Sequence, residues 1–268
     1  MDYLSYKNKR VVVCGCYSGM GEATTKMLLE LGAEVHGLDY RQTTLNVASF
    51  NPLDLRDPVS IDAAVEKIGG KVDAFFHCAG LPHTSPALDV MKVNYIGTRY
   101  VTERVIPLIK NGGAIAIISS RAGRGWAQRL SVLKELIAVD DYAAASRWCV
   151  EHAEEVKEGY VLSKEAIIVW TMMRSVDLIK RGIRINCTMP GTTETPMMNH
   201  FQVTTDSSVL KAVLEPSNRR STPAEQAAPI VFLNSDAASY INGAVIPVDG
   251  GSTAGVYTGL IDLNKIAR

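Results

Sequence analysis

Short runs of apolar, largely β-branched residues alternate with stretches of helical period along most of the 268-residue chain. The strand candidates are 10–15, 34–39, 72–79, 114–119, 184–189 and 244–248. Most are almost continuously apolar, the pattern of strands buried on both faces and not of a sheet with one wet side. Between them the spacing predicts helices over 21–31, 60–68, 88–109, 160–180 and 223–233. Repeated strand–helix–strand order predicts an α/β fold, a doubly wound, Rossmann-like parallel sheet with helices on both sides. No Pro/Gly/Ser linker, internal repeat or low-complexity tract divides the chain, so a single domain over 1–268 is expected.

Two stretches break the rhythm. Residues 121–159 are long for a connection, and Leu130, Leu133, Leu136 and Ile137 recur at helical spacing, as does the apolar pattern of 142–155. This predicts a helical insertion. Residues 192–216 carry Met197, Met198, Phe201, Val203, Leu210 and Val213 among Thr, Ser and Asp, a candidate lid.

Composition narrows the function classes. With 47% hydrophobic and 21% charged residues the chain reads as globular. Lys plus Arg and Asp plus Glu balance at 28 each, so no global field recruits nucleic acid or an anionic membrane. No apolar run reaches the length of a membrane span, and the polar N-terminus carries no signal-peptide pattern. Five cysteines, an odd number without framework spacing, suit a reducing compartment, and a cytoplasmic protein is expected. Cys14 and Cys16 lack a second ligand pair and read as buried strand thiols, so no metal site is expected.

The first strand ends at Gly15 and leads through Ser18 to Gly19-Met20-Gly21, where a helix begins. Such a turn lets the backbone approach a pyrophosphate, whose charge then sits at a helix N-terminus. Asp39 ends the second strand at about the distance expected of a carboxylate that holds an adenosine ribose. A 2′-phosphate would meet its negative charge, so NAD is expected over NADP. Arg41 either stacks by the adenine or faces solvent.

Tyr160 and Lys164 open a long helical pattern, and i, i+4 spacing puts phenol and ammonium on one face. A neighbouring cation lowers a tyrosine pKa from roughly 10 and makes the phenol a usable acid and base. The run from Ala114 to Ser120 is a buried strand ending in hydroxyls, where a parallel sheet presents its ligand crevice. Asn94 lies inside an otherwise helical stretch, where a solvated or back-bonding side chain is the plain reading.

With these motifs in order, the chain resembles the short-chain dehydrogenase/reductase family over essentially its full length. Asp54, Cys78-Ala79-Gly80, Pro190-Gly191 and the tail from Asn242 to Gly251 follow the same order. The resemblance implies an NAD(H)-dependent oxidoreductase acting on a small alcohol or ketone, with Tyr160 as proton donor or acceptor and Lys164 beneath it. Ser120, with Ser119 as the second choice, would hydrogen-bond the substrate oxygen, and Asn94 would order a water next to Lys164. Asp54, Leu55, Thr193 and Thr195 join the glycine turn as cofactor contacts. A homodimer or homotetramer is expected.

Departures are Cys14 before the first glycine and His77-Cys78 ahead of Ala79-Gly80. His77 is expected to be a hydrogen-bonded structural residue, and His83 to be solvent-exposed. The long interval from Ser120 to Tyr160 is similar to the subgroups containing 3α-hydroxysteroid dehydrogenase/carbonyl reductase and coniferyl-alcohol dehydrogenase. That suggests a hydrophobic secondary or aryl-allylic alcohol. The insertion either walls the substrate pocket, with Trp126, Trp148 or neighbouring apolar residues, or sets oligomer geometry. The alternative on the same fold is a catalytically idle NAD-binding sensor or scaffold.

Overall fold

The computed structural model describes residues 2–157, 159–198, 214 and 216–262. Seven strands form one parallel sheet in the order β3-β2-β1-β4-β5-β6-β7. They are β1 (Arg10–Cys14), β2 (Glu34–Asp39), β3 (Ser49–Pro52), β4 (Val72–His77), β5 (Ile109–Ile118), β6 (Arg184–Pro190) and β7 (Val245–Val248). The helices follow as α1 (Gly19–Glu30), α2 (Pro58–Glu66), α3 (Ala87–Met91) and α4 (Thr98–Val105). After them come α5 (Leu130–Ala138), α6 (Tyr142–Glu151), α7 (Ala153–Val156), α8 (Gly159–Leu178), α9 (Pro223–Asn234) and α10 (Ser252–Tyr257).

The apolar runs are continuous because successive side chains serve two cores. On β1, Val12 and Cys14 join the larger core while Val11 and Val13 join the smaller one. On β5, Ile115 and Ile117 face the first, Ala116 and Ile118 the second. Leu28 of α1 and Ile230 and Leu233 of α9 close the smaller side, and α8 supplies Leu162, Ile167 and Trp170 to the larger. The chain leaves β1 toward β2 on one side and reaches β4 on the other, which opens a crevice at the C-terminal ends of β1 and β4. Among the described residues no helix is long and apolar enough to cross a membrane.

Three elements differ from the sequence reading. Strand β3, Ser-Phe-Asn-Pro, is an edge strand whose length and proline hide it from a periodicity argument. The single helix expected over 88–109 is α3, a π-helical stretch at Lys92–Gly97, α4 and a 3₁₀ turn at Ile106–Leu108. Pro107 cannot donate an N–H to continue the α-helix, and β5 starts at Ile109, ahead of the expected 114. Its register against β4 shifts between Val72 and Ala74, which absorbs the polar Lys110-Asn111-Gly112.

The insertion is a 3₁₀ stretch (Arg121–Arg129) followed by α5, α6 and α7. Leu133, Leu136 and Ile137 bury into the larger core as their spacing predicts. Arg129 reaches both Glu155 (2.7 Å) and the buried Glu165 of α8 (3.3 Å). The Tyr142 hydroxyl donates to the Leu55 carbonyl at 2.8 Å. The insertion is therefore built into the main core. Of the expected lid, 199–213 and 215 lie outside the described residues, and with them Phe201, Val203, Leu210 and Val213. A bridge between Thr193 and Ser221 joins the flanks of that segment.

The glycine turn is a packing solution before it is a binding one. A Cβ on Gly21 would stand 1.8 Å from the Gly15 carbonyl oxygen, and one on Gly15 would stand 2.4 Å from the Ala79 nitrogen. Gly21→Ala is expected to cost about 1–3 kcal/mol or more, read as a lowered midpoint in denaturant unfolding. Wild-type stability in this variant would show that the turn can open without cost.

Candidate active site

The cofactor end is assembled by β1, β2 and the start of α1. Ser18 is the extended N-cap of α1 but makes no side-chain cap bond, so the first-turn N–H groups are left for an outside acceptor. Gly19, at φ +60°, faces the Thr195 side chain, and a Cβ there would lie 3.3 Å from the Thr195 methyl. The Tyr17 N–H donates to the Asp39 carboxylate (2.9 Å), as does the Arg41 N–H (3.0 Å), so the acid at the end of β2 is tied to the turn after β1.

These groups border a cavity of ≈ 440 Å³ lined by Gly15, Ser18, Gly19, Met20, Asp39 and Arg41. Asp54, Leu55, Cys78, Ala79 and Gly80 line it as well, and Thr195 closes it from across the turn. Gly21 is not part of the lining. Arg41 lies over the Tyr17 ring, 5.6 Å from its centroid. Asp54 is held in a two-pronged pair by Arg56 (3.0 and 2.8 Å), which keeps its carboxyl below the ordinary range. Tyr17, Tyr40 and Arg56 also line this cavity. They went unread in the sequence although each adjoins a motif.

The second cavity, ≈ 490 Å³, shares Met20, Thr195 and Met197 with the first and is lined by Ser120, Tyr160, Pro190, Gly191 and Thr193. The two strand-end hydroxyls have separate tasks. Ser119 Oγ is buried and donates to the Lys164 carbonyl at 2.8 Å. Ser120 accepts from the Ala122 N–H at 3.1 Å and hydrogen-bonds the Tyr160 phenol. This supports Ser120 over Ser119 as the residue facing substrate.

Lys164 is buried, its Nζ 3.3 Å from the Ile118 carbonyl and 5.7 Å from the Tyr160 ring centroid. Burial lowers its pKa to about 8. For Tyr160 burial raises the phenol pKa, opposed by the Ser120 hydrogen bond and then by the Arg121 charge. The i, i+4 spacing suggests Lys164 for that role; its Nζ lies over the Tyr160 ring, while the groups opposing the rise are Ser120 and then Arg121. Asn94, in the π-helical stretch, is neither solvated nor back-bonded. It accepts from the Leu81 N–H (2.7 Å) and donates to the Leu81 carbonyl (3.0 Å), clamping the turn that carries Gly80. A Cβ on Gly80 would lie 3.2 Å from Asn94 Oδ1 and 3.7 Å from Lys164 Nζ, so the three meet beneath the cavities.

The sequence matches the family model for short chain dehydrogenases over residues 9–132 and that for enoyl-(acyl carrier protein) reductases over 143–253. It is 35% identical to coniferyl-alcohol dehydrogenase of a Pseudomonas species, across 91% of this chain and 96% of that protein. The chain belongs to the short-chain dehydrogenase/reductase family. It is 34% identical to 3-alpha-hydroxysteroid dehydrogenase/carbonyl reductase of Comamonas testosteroni, again across 91% and 96%. Its fold matches a Pseudomonas 3-alpha-hydroxysteroid dehydrogenase solved with NADH, with a TM-score of 0.79 and 29% identity over 93% of this chain and 98% of that one. As a member of this family the protein is an oxidoreductase, and the glycine cradle with its uncapped helix start fits a nicotinamide dinucleotide.

Two expectations within the short-chain dehydrogenase/reductase frame change. Neither Trp126 nor Trp148 lines the Tyr160 cavity. Trp148 is buried, donates to Glu135 (3.0 Å) and stacks on His152. The insertion instead contributes Arg121, Ala122, Arg124 and Lys157 to the wall. The position of Arg121, directly after the strand-end serine, is the signal that would have found it. His83 is exposed as expected, yet it lines the cavity with its ring centroid 6.4 Å from that of Tyr160.

His77 is buried as expected but not hydrogen-bonded through its side chain, for both ring nitrogens lack a partner among the described residues. Burial, with the Lys164 charge adding to it, pulls the imidazole pKa from 6.5 down to about 3. Between those values the unfolded chain binds the proton and the native one does not, so stability falls as pH drops from 6.5 toward 3. From pH 7 to 5 this group alone is expected to remove about 2 kcal/mol. Urea unfolding at both pH values should show His77→Gln less acid-sensitive by that amount. Equal acid sensitivity of the two proteins would mean that the ring is protonated in the native state.

Proposed function

We propose that the protein is an NAD-dependent dehydrogenase/reductase that interconverts a hydrophobic secondary or aryl-allylic alcohol and its carbonyl. The observation that carries this reading is the Ser120–Tyr160 pair on the wall of one cavity, with Lys164 buried behind it and a glycine-cradled second cavity adjoining. The names of the relatives, an aryl-allylic and a steroid alcohol dehydrogenase, support the substrate class.

In reduction, the Tyr160 hydroxyl gives its proton to the substrate oxygen while Ser120 donates a hydrogen bond to the same atom. In oxidation the phenolate takes the hydroxyl proton. The bound nicotinamide supplies or accepts the hydride at the substrate carbon. Burial keeps the phenol protonated, poised to donate, and the Ser120 hydrogen bond and the Arg121 charge oppose part of that rise. Lys164 backs the phenol and would hold the nicotinamide ribose, and Asn94 positions the Gly80 turn beside it and would order a water next to Lys164. Asp39, with two backbone N–H groups holding it at the rim of the adenosine side, favours ribose hydroxyls over a phosphate.

Tyr160→Phe tests the proton relay. It is expected to lower NADH-coupled turnover by about 10²–10⁴-fold while NADH affinity, read by fluorescence titration, stays within a few-fold. Undiminished turnover would remove Tyr160 from the mechanism, and intact binding without wild-type turnover on a broad alcohol and ketone panel would favour a sensor. Cofactor choice is read separately. At saturating substrate, kcat/KM for NAD is expected to exceed that for NADP by about tenfold or more, the discrimination of one unpaired like-charge contact; a preference for NADP would overturn the role given to Asp39.

A further inference from the structure

The wall of the Tyr160 cavity contributed by the insertion is cationic. Arg121 and Arg124 lie on the 3₁₀ stretch directly after Ser120, and Lys157 closes the same cavity from the other end of the insertion. Among the described residues that line this cavity there is no carboxylate. Much of the remaining wall is apolar, with Ala87, Val90, Val161 and Met198 facing the space. Its volume is within the range of sites that enclose a small ligand.

Arg121 is the instructive residue. Its guanidinium is half-buried and donates to the neutral Ser252 hydroxyl at 3.1 Å, and it forms no ion pair among the described residues. Asp249 acts on it only through space. The carboxylate oxygens of Asp249 accept from the Gly251 (3.2 Å) and Thr253 (2.8 Å) N–H groups. Arg124 donates to the Arg121 carbonyl at 3.3 Å, which brings a second cation close. Burial and then the Arg124 charge lower the Arg121 pKa to about 10. Two neighbouring cations in an enclosed apolar space are costly unless an anion arrives to share them. The dinucleotide phosphates are not that anion, because Arg121 and Arg124 line the Tyr160 cavity and not the glycine-cradled one. A planar guanidinium fork matches a carboxylate in two parallel hydrogen bonds.

We propose that the substrate is anionic: an alcohol or ketone whose hydrophobic skeleton carries a carboxylate away from the reacting oxygen, held by Arg121 and Arg124. This rests on the alcohol/carbonyl reading above and specifies its substrate class. Lys157, exposed at the rim, adds attraction on approach. Tyr160 and Ser120 then hold the reacting oxygen, and the arginines on the adjoining stretch of the same cavity wall hold the carboxylate.

The test is a set of matched acid and methyl-ester pairs on aryl, alicyclic and steroid skeletons, for example 4-(1-hydroxyethyl)benzoate and its methyl ester. Each is assayed with the full-length protein in both directions and with both nicotinamide cofactors. For the turned-over skeletons the acid is expected to exceed its ester by about tenfold or more in kcat/KM, carried mainly by KM. Arg121→Gln should bring that ratio close to one, and Arg121→Lys should restore part of it. An ester used as well as its acid by the wild type overturns the inference and leaves the alcohol/carbonyl reading standing. A ratio that persists in Arg121→Gln removes Arg121 from the role. Turnover of no member of any pair fails the underlying reading, and the inference falls with it.

Discussion

The arrangement of this site depends on how β5 meets α8, and at that junction the Ser119 hydroxyl donates to the main-chain carbonyl of Lys164 while Lys164 Nζ donates back to the Ile118 carbonyl. The strand end and the helix start are thereby fixed to each other and not merely packed. Gly123 tightens the same point, since a Cβ there would lie 2.9 Å from the Lys164 carbonyl. With the main chain at position 164 anchored, the Tyr160 phenol one turn earlier meets the hydroxyl that follows Ser119. Two adjacent serines thus divide the work, one spent on architecture and the other left for a ligand.

What the sequence disclosed and what it withheld divide along physical lines. Strands β1 and β5 were legible because they feed two cores at once, which makes the apolar run unbroken. Strand β3 was not, because an edge strand of Ser-Phe-Asn-Pro owes its existence to its neighbour β2. The i, i+4 pair Tyr160/Lys164 was readable as a shared helix face, but a face does not say which end of a phenol the ammonium touches. Most of the expected cofactor residues came together on one cavity and Tyr160, Pro190, Gly191 and Thr193 on its neighbour, whereas Gly21 closes the turn against Gly15. The cationic wall escaped notice because aromatic residues in the insertion drew attention, and burial of Trp148 in the core could not be read from its spacing.

Beneath the cavities lies a region that disfavours charge. His77 is held neutral and Lys164 has a lowered pKa, in both cases because water is excluded. The Lys164 charge also raises the cost of protonating His77. A lysine in such surroundings gives up its proton far more readily than one at the surface. The orphaned imidazole belongs to the same dry layer.

The bond from Tyr142 to the Leu55 carbonyl has a wider meaning. Leu55 borders the dinucleotide side, while Tyr142 belongs to the insertion whose ends shape the other compartment. One strut therefore spans the two ligand territories, and the insertion is no interchangeable cassette. Grafting the corresponding segment from a relative would also remove a support of the wall of the glycine-cradled cavity. Selectivity for one ligand and grip on the other are mechanically joined here, and an exchange of either half would have to carry both ends of the strut.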